Sequence, residues 1–327
     1  MREGAKQPER PAFGGSIVLF YAVAVLFLVG FYFLRWPIVA GDTDLWYHLS
    51  GGRYFFQHHA LPDSSFFSFL RPQRTYVDYY WLFQALAYWI YRSFGYPGLI
   101  ALRAALFLST VSLIGLYLFR YGRRYQSPII LVLFFAAFSL LLLRRSTVLR
   151  PHLFTNLMIP LFLLLLEEGS WRKLIWLPLL GILWMNLHGI AYPVMLLIVG
   201  VYTFDRLWQS RRDTQGKSKK LWSSAALLIA MVGVVFCTPH GPALLAVPWR
   251  STRAASLYID ELRPLSFQDL TSVSVSGLVL SYPTLFNLLL LAAVAALILA
   301  LRSRTCRLPP IVLFAAGCYL LSEEIGL

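Results

Sequence analysis

Between residues 41 and 66 the chain reads GDTDLWYHLSGGRYFFQHHALPDSSF, gathering three aspartates, three histidines and an arginine. Asp42 and Asp44 stand two apart. On an extended segment their carboxylates face the same way and can share a divalent cation. Oxygen ligands of this kind suit Mg²⁺ or Mn²⁺, which in turn take phosphate oxygens. One of the pair can instead serve as a general base, provided an acceptor's proton lies within hydrogen-bond reach. The same letters also read as a helix start, with Asp42 as its cap. Both readings stand on the residues. His48 falls one helical turn beyond Asp44, Gly51 and Gly52 allow close backbone approach, and Arg53 can grip a phosphate with two N–H groups or reach lipid headgroups. The adjacent His58 and His59 fit no metal-ligand spacing and read as an interfacial pair.

Three later stretches carry the remaining chemistry. RRSTVLRPH holds Arg144, Arg145, Arg150 and His152 in a short turn suited to an anion, whether a lipid-linked phosphate or ordinary headgroups. WMNLHGIAYP places Asn186 and His188 in an apolar setting. They are able to meet sugar hydroxyls or a carboxylate, or to hydrogen-bond between helices at a tight Gly189 turn. TPHG and YIDELRP supply His240, Asp260, Glu261 and Arg263, outer-loop residues able to close over a site. No nucleophile elbow, phosphate-binding glycine loop, HExxH or dinucleotide fingerprint occurs.

What must position these groups is a membrane. The chain has 327 residues, 58% of them hydrophobic and 13% charged, with a mean hydropathy of +0.63. Apolar runs lie near 15–36, 79–94, 98–119, 127–143, 152–166, 174–187, 190–205, 221–237, 278–301 and 309–325, which predicts a polytopic all-α membrane protein. Alternating ten-residue segments of a β-barrel are missing. The net charge of +14 then belongs to cytoplasmic loops and membrane lipids, not to nucleic acid. The first run is longer than a signal-peptide core, and Ile38 does not suit a cleavage site, so it reads as a retained anchor. Cys237, Cys306 and Cys318 are too scattered for a disulfide framework.

If all ten runs cross from a cytoplasmic N-terminus, the basic loop 206–220 is exported. That arrangement leaves 10 of the 29 Lys and Arg inside. Laying the short, Trp- and Tyr-rich run 79–94 in the outer interface leaves nine spans and puts 17 inside, including all five lysines. Ten spans with an outer N-terminus is the rival topology. In the nine-span frame 1–327 is a single transmembrane domain. Residues 41–97 form a first extracytoplasmic loop with an interfacial helix, 206–220 a cytoplasmic basic loop, and 238–277 a long extracytoplasmic loop. The chemically active stretches then converge on one face.

The order of first span, acidic loop with LPDSSFFS and YYWLFQAL, then FGYPGLIALRAALFLSTVSLIGLYLFRYGRR, RPHLF and NLHG resembles the GT-C superfamily of polyprenyl-phosphate-sugar glycosyltransferases. That superfamily includes protein O-mannosyltransferases and the aminoarabinose transferases of lipid A. The resemblance covers roughly the whole chain and is strongest over 15–165. It implies a GT-C-like helical bundle in the bacterial inner membrane, with its site on the extracytoplasmic face. It also implies an essential acid just after the first span, matched best by Asp44 and alternatively by Asp42, often beside a divalent cation. Arg53, Arg144, Arg145 and Arg150 resemble the groups that hold the lipid phosphate. The expected donor is a polyprenyl-phosphate-linked sugar, and the acceptor a lipid, glycan or protein. The chain departs from the family in lacking the soluble extracytoplasmic C-terminal domain of many members, and in its Asp42/Asp44 context. It reads as a minimal or truncated relative. The competing expectations are a transporter or flippase for a lipid-linked or anionic solute, and a non-catalytic subunit of an envelope-assembly complex.

Overall fold

A computed structural model describes residues 44–64, 76–121, 128–210 and 217–248, with parts of 28–38 and scattered positions of 275–313. These residues are almost entirely helical. In chain order they form α1 (Asp44–His58), α2 (Trp81–Tyr121), α3 (Pro128–Arg145), α4 (His152–Glu168), α5 (Trp171–Leu174), α6 (Trp176–Leu187), α7 (Tyr192–Ser210) and α8 (Lys217–Val235). Short 3₁₀ turns follow at Gly189–Ala191 and Gly241–Ala246, and Val275–Ser276 pairs antiparallel with Val279–Leu280.

Among the described residues, two helices are long and apolar enough to cross a membrane, Trp81–Tyr121 and Gly189–Gln209, and shorter apolar helices cover Leu131–Leu143 and Trp222–Val235. Large apolar side chains face outward along this bundle, among them Leu133, Ile175, Leu179, Trp222 and Ile229, the last two each 72% exposed. Water would not tolerate such faces in quantity; hydrocarbon does.

α2 contains the boundary between the runs 79–94 and 98–119. Gly95 sits at φ 62°, ψ −155°, and Pro97 follows within the helix. A side chain at Gly95 would be strained at that φ, and proline carries no N–H for the ladder. The helix therefore breaks at Gly95, and its first half is free to take a direction of its own.

α1 packs on that first half through two glycines. A Cβ at Gly52 would stand 2.2 Å from the Gln84 carbonyl oxygen and 2.5 Å from Tyr88 Cβ, and one at Gly51 would stand 1.8 Å from Gln84 Oε1. Around this contact Leu45, Leu49, Phe83, Leu99, Leu149 and Leu153 form one apolar core, and Met158, Phe162, Leu177, Trp184, Met195 and Met231 form a second among α4, α6, α7 and α8.

Arg103, in the second half of α2, is fully buried. Its Nη2 donates to the Phe33 carbonyl oxygen at 3.0 Å and its Nη1 to that of Thr147, while the guanidinium lies 5.5 Å over the Phe33 ring. Phe33 lies near the end of the helical stretch around residues 28–35, and Thr147 lies just past the end of α3. The last carbonyls of a helix lack intrahelical donors and carry its negative dipole end. One buried cation thus fastens two helix termini to a third helix. Arg103→Met leaves both carbonyls buried without that donor and is expected to cost at least about 2 kcal/mol. A fall in thermal unfolding temperature in detergent measures it, and Arg103→Lys should recover only part, because an ammonium lacks the planar fork.

Candidate functional site

The Arg103 anchor fixes the turn between α3 and α4, and that turn presents Arg150. Arg150 Nη2 lies 3.1 Å from Asp44 Oδ2, with the two side chains 26% and 51% exposed. Asp44 opens α1, where a carboxylate is favoured by the helix dipole. At Asp44 the backbone is helical, so the extended reading does not hold there, while the reading of Asp42 as the cap falls outside the described residues. Asp42 lies outside the described residues. So do Asp260, Glu261 and Arg263, and the side chain of Arg144.

Beneath this ion pair sit three histidines. His48, one turn beyond Asp44, is buried edge-on against Tyr80 and Phe83, each ring 5.0 Å away. Among the described residues its Nδ1 has no hydrogen-bond partner. Burial, and then the nearby Arg150 charge, push its pKa down to about 3. His188 caps α6, and its Nδ1 lies 2.7 Å from Thr155 Oγ1 on α4. Thr155 also accepts from Trp184 Nε1 at 2.8 Å, so its hydroxyl bridges the indole of α6 and the imidazole of His188. Burial, followed by His152 and His48, holds His188 at about 3. His152 Nε2 donates to the Arg145 carbonyl oxygen at 3.1 Å, which ties the start of α4 to the end of α3.

A second wall comes from the short segment before α2. Gly189 N–H donates to the Tyr79 carbonyl at 2.6 Å, and Asp78 N–H donates to His240 Nε2 at 3.0 Å. These bonds clamp Tyr76–Tyr80 between the NLHG turn and the start of the long loop. The Tyr47 and Tyr76 hydroxyls are in contact, and Tyr80 donates to Tyr47 at 3.3 Å. Asp78 is 1% exposed, and its Oδ1 accepts from Tyr80 N–H at 3.3 Å. Burial raises its pKa to about 7, against the weaker opposing pull of that backbone bond. Asp78 and its phenols were not among the sequence candidates. The available signal was a lone carboxylate inside the aromatic run YVDYYW.

The structure thus brings together Asp44, His48, Arg150, His152 and His188. Asn186 plays a different part. Its Oδ1 accepts from Trp81 Nε1 at 2.8 Å, and its Nδ2 donates to the carbonyls of Ile182 at 2.8 Å and Cys237 at 3.0 Å. A fully bonded amide ties helices rather than a sugar. Arg53 is exposed on α1 and touches neither Asp44 nor Arg150 among the described residues. Arg145 contributes its carbonyl. His58 stacks on Tyr54 at 4.3 Å, and His59 takes φ 50°. Among the described residues no three His, Cys, Asp or Glu converge as metal ligands, and the carboxylate of Asp44 faces a guanidinium.

The far end of the bundle carries a separate polar cluster. Tyr202 donates to Glu167 Oε1 at 2.8 Å, Arg206 to the Leu166 carbonyl at 2.7 Å, and Gln209 to Asp205 Oδ2 at 2.7 Å. Along α4 it lies about 22 Å from His152, at 1.5 Å per residue. Comparison with family models, curated proteins and solved structures found no match.

The buried rings give the acid response a definite sign. His48 and His188 move from 6.5 to about 3 on folding, so the unfolded chain binds more protons between those values. Their contribution is full above about pH 6.5 and is lost as pH falls toward 3. Asp78, raised from 3.8 to about 7, acts oppositely, its contribution being lost as pH rises through that window. Thermal unfolding between pH 4.5 and 8 should show stability falling on the acid side. The fall should be shallower in His188→Asn, which keeps an acceptor for Thr155, and steeper in Asp78→Asn. Unchanged slopes in both variants would contradict the assignment.

Proposed function

We propose that this chain is a membrane-embedded glycosyltransferase that moves a sugar from a polyprenyl-phosphate donor to an acceptor hydroxyl at the extracytoplasmic face. The observation that carries the reading is the Asp44–Arg150 ion pair. It joins the acidic start of the first loop to the arginine turn, half-exposed above a floor of buried, uncharged histidines. The nine-span topology, the interfacial setting of α1 and the first half of α2, and the bacterial inner membrane belong to the same proposal.

In this scheme the donor's phosphate meets Arg150, whose planar guanidinium offers paired N–H groups. The phosphate replaces Asp44 as counter-ion, which leaves the carboxylate beside the anomeric carbon. Asp44 then accepts the proton of the acceptor hydroxyl as its oxygen bonds to that carbon. The bond from the anomeric carbon to the phosphate oxygen breaks, and its electron pair leaves on the phosphate, stabilised by Arg150. The neutral His48 and His188 add no competing positive charge. A divalent cation bound with Asp42 would further neutralise the donor phosphate. One described carboxylate does not make such a site, so the steps above run on side chains alone.

The apolar layer of Met158, Phe162, Trp184, Met195 and Met231 separates the two polar ends. Among the described residues this layer offers a charged solute no ionisable side chain, which supports chemistry at one face over transport. In lipid-reconstituted protein with a polyprenyl-phosphate sugar, Asp44→Asn should lower transfer by about 10²–10⁴-fold, as loss of a general base does. Arg150→Gln should fail mainly in donor binding. Full turnover by Asp44→Asn rejects its role, while no glycolipid consumption by the intact chain favours a non-catalytic subunit.

A further inference from the structure

Away from the Asp44–Arg150 site, α1 and the first half of α2 enclose another cavity, of about 270 Å³, lined by Phe56, Tyr88, Trp89, Arg92 and Ser93. Its origin is geometric. At Gly51 and Gly52 the two helices nearly touch through their backbones. One turn further on, the rings of Phe56 and Tyr88 stand 5.7 Å apart at a 41° tilt and hold the helices open. The gap is floored by aromatic rings and has a guanidinium at its rim.

We propose that this pocket binds the phosphate headgroup of an anionic phospholipid, with Arg92 on the phosphate oxygens and Trp89 against the glycerol and first methylenes. Three observations carry it. Arg92 is exposed, and among the described residues it has no acidic partner, so its charge is available to a ligand. Trp89 and Phe94, beside it, are 51% and 64% exposed, the half-wet placement that tryptophan takes at a membrane–water boundary. Arg92 also stands three residues before the Gly95 break. Beyond the break α2 continues as a candidate span, so the pocket lies level with the headgroups flanking that span.

Size narrows the ligand. Pockets for whole small molecules run to about 300–1,000 Å³, so this one admits a headgroup and leaves the acyl chains outside against the exposed aromatics. A zwitterionic headgroup carries its own cation to the guanidinium and gains less from the site. This proposal does not rest on the glycosyltransferase reading; it requires only that α2 meet a bilayer.

Native mass spectrometry of the full chain in a neutral detergent, titrated with phosphatidylglycerol or phosphatidylcholine, tests it. One phosphatidylglycerol should be retained in preference to phosphatidylcholine. Arg92→Gln should weaken retention about tenfold, the loss of a charge-assisted hydrogen bond, with helix content by circular dichroism unchanged. Arg92→Lys, which keeps the charge but not the fork, should fall between, and it decides the matter if the glutamine variant does not fold. Equal retention of the two lipids, or wild-type retention by the Arg92 variants, overturns the proposal. So does displacement of phosphatidylglycerol by millimolar inorganic phosphate, which would make the site a reader of free phosphate.

Discussion

A single buried guanidinium sets the frame of this protein. Arg103 is sealed from solvent and is held by the carbonyl of Phe33 at one helix end and of Thr147 just past another. Burying a cation is costly unless opposite partial charge surrounds it, and the two carbonyl oxygens supply that charge. The constraint is mutual. Helix ends in an apolar medium need donors as much as the cation needs acceptors. Once the first helical stretch, α2 and the α3–α4 turn are fixed together, the position of Arg150 follows.

The site follows from that fixed turn and from the glycine contact of α1 with α2. The first brings Arg150 to the surface of the bundle. The second lets α1 lie close enough for Asp44 to meet Arg150 while His48 is driven inward. Charge is thereby sorted by depth. The ion pair remains in contact with water, while the imidazoles below stay neutral, each depressed chiefly by burial. His188 is held in place by the Thr155 hydroxyl, which also accepts from the Trp184 indole. The arrangement is rigid where hydrogen bonds cross between helices and open where the ion pair can exchange its partner for an anion.

Much of the helical layout could be read from apolar periodicity. The boundary between runs 79–94 and 98–119 falls at Gly95, which only a glycine fits at that φ, and the first-loop acid and the arginine turn do meet. Residues whose roles depend on long-range contact were not legible. Nothing local in LIALRAALF reveals that Arg103 meets the carbonyls of Phe33 and Thr147. Asp78 was masked by its aromatic neighbours, since its burial is created by the NLHG turn and His240 from far along the chain. Asn186 looked like a ligand group because sequence shows its two-sided hydrogen-bonding capacity, but not the Trp81 indole and Cys237 carbonyl that occupy it. The apparent confinement of polar groups to one face was also incomplete, since the Tyr202–Glu167 contact closes the opposite end.

The central claim is that the start of α1 and the α3–α4 turn meet at an outward-opening mouth. Cysteines placed at 44 and 150, in a background with the native cysteines changed to serine, test it directly. In intact cells the two thiols should be joined by a membrane-impermeant bifunctional maleimide, which spans the reach of the arginine side chain as a direct disulfide does not, and each should react with a membrane-impermeant monofunctional maleimide. Failure to cross-link, or labelling that occurs only after permeabilisation, would contradict the account.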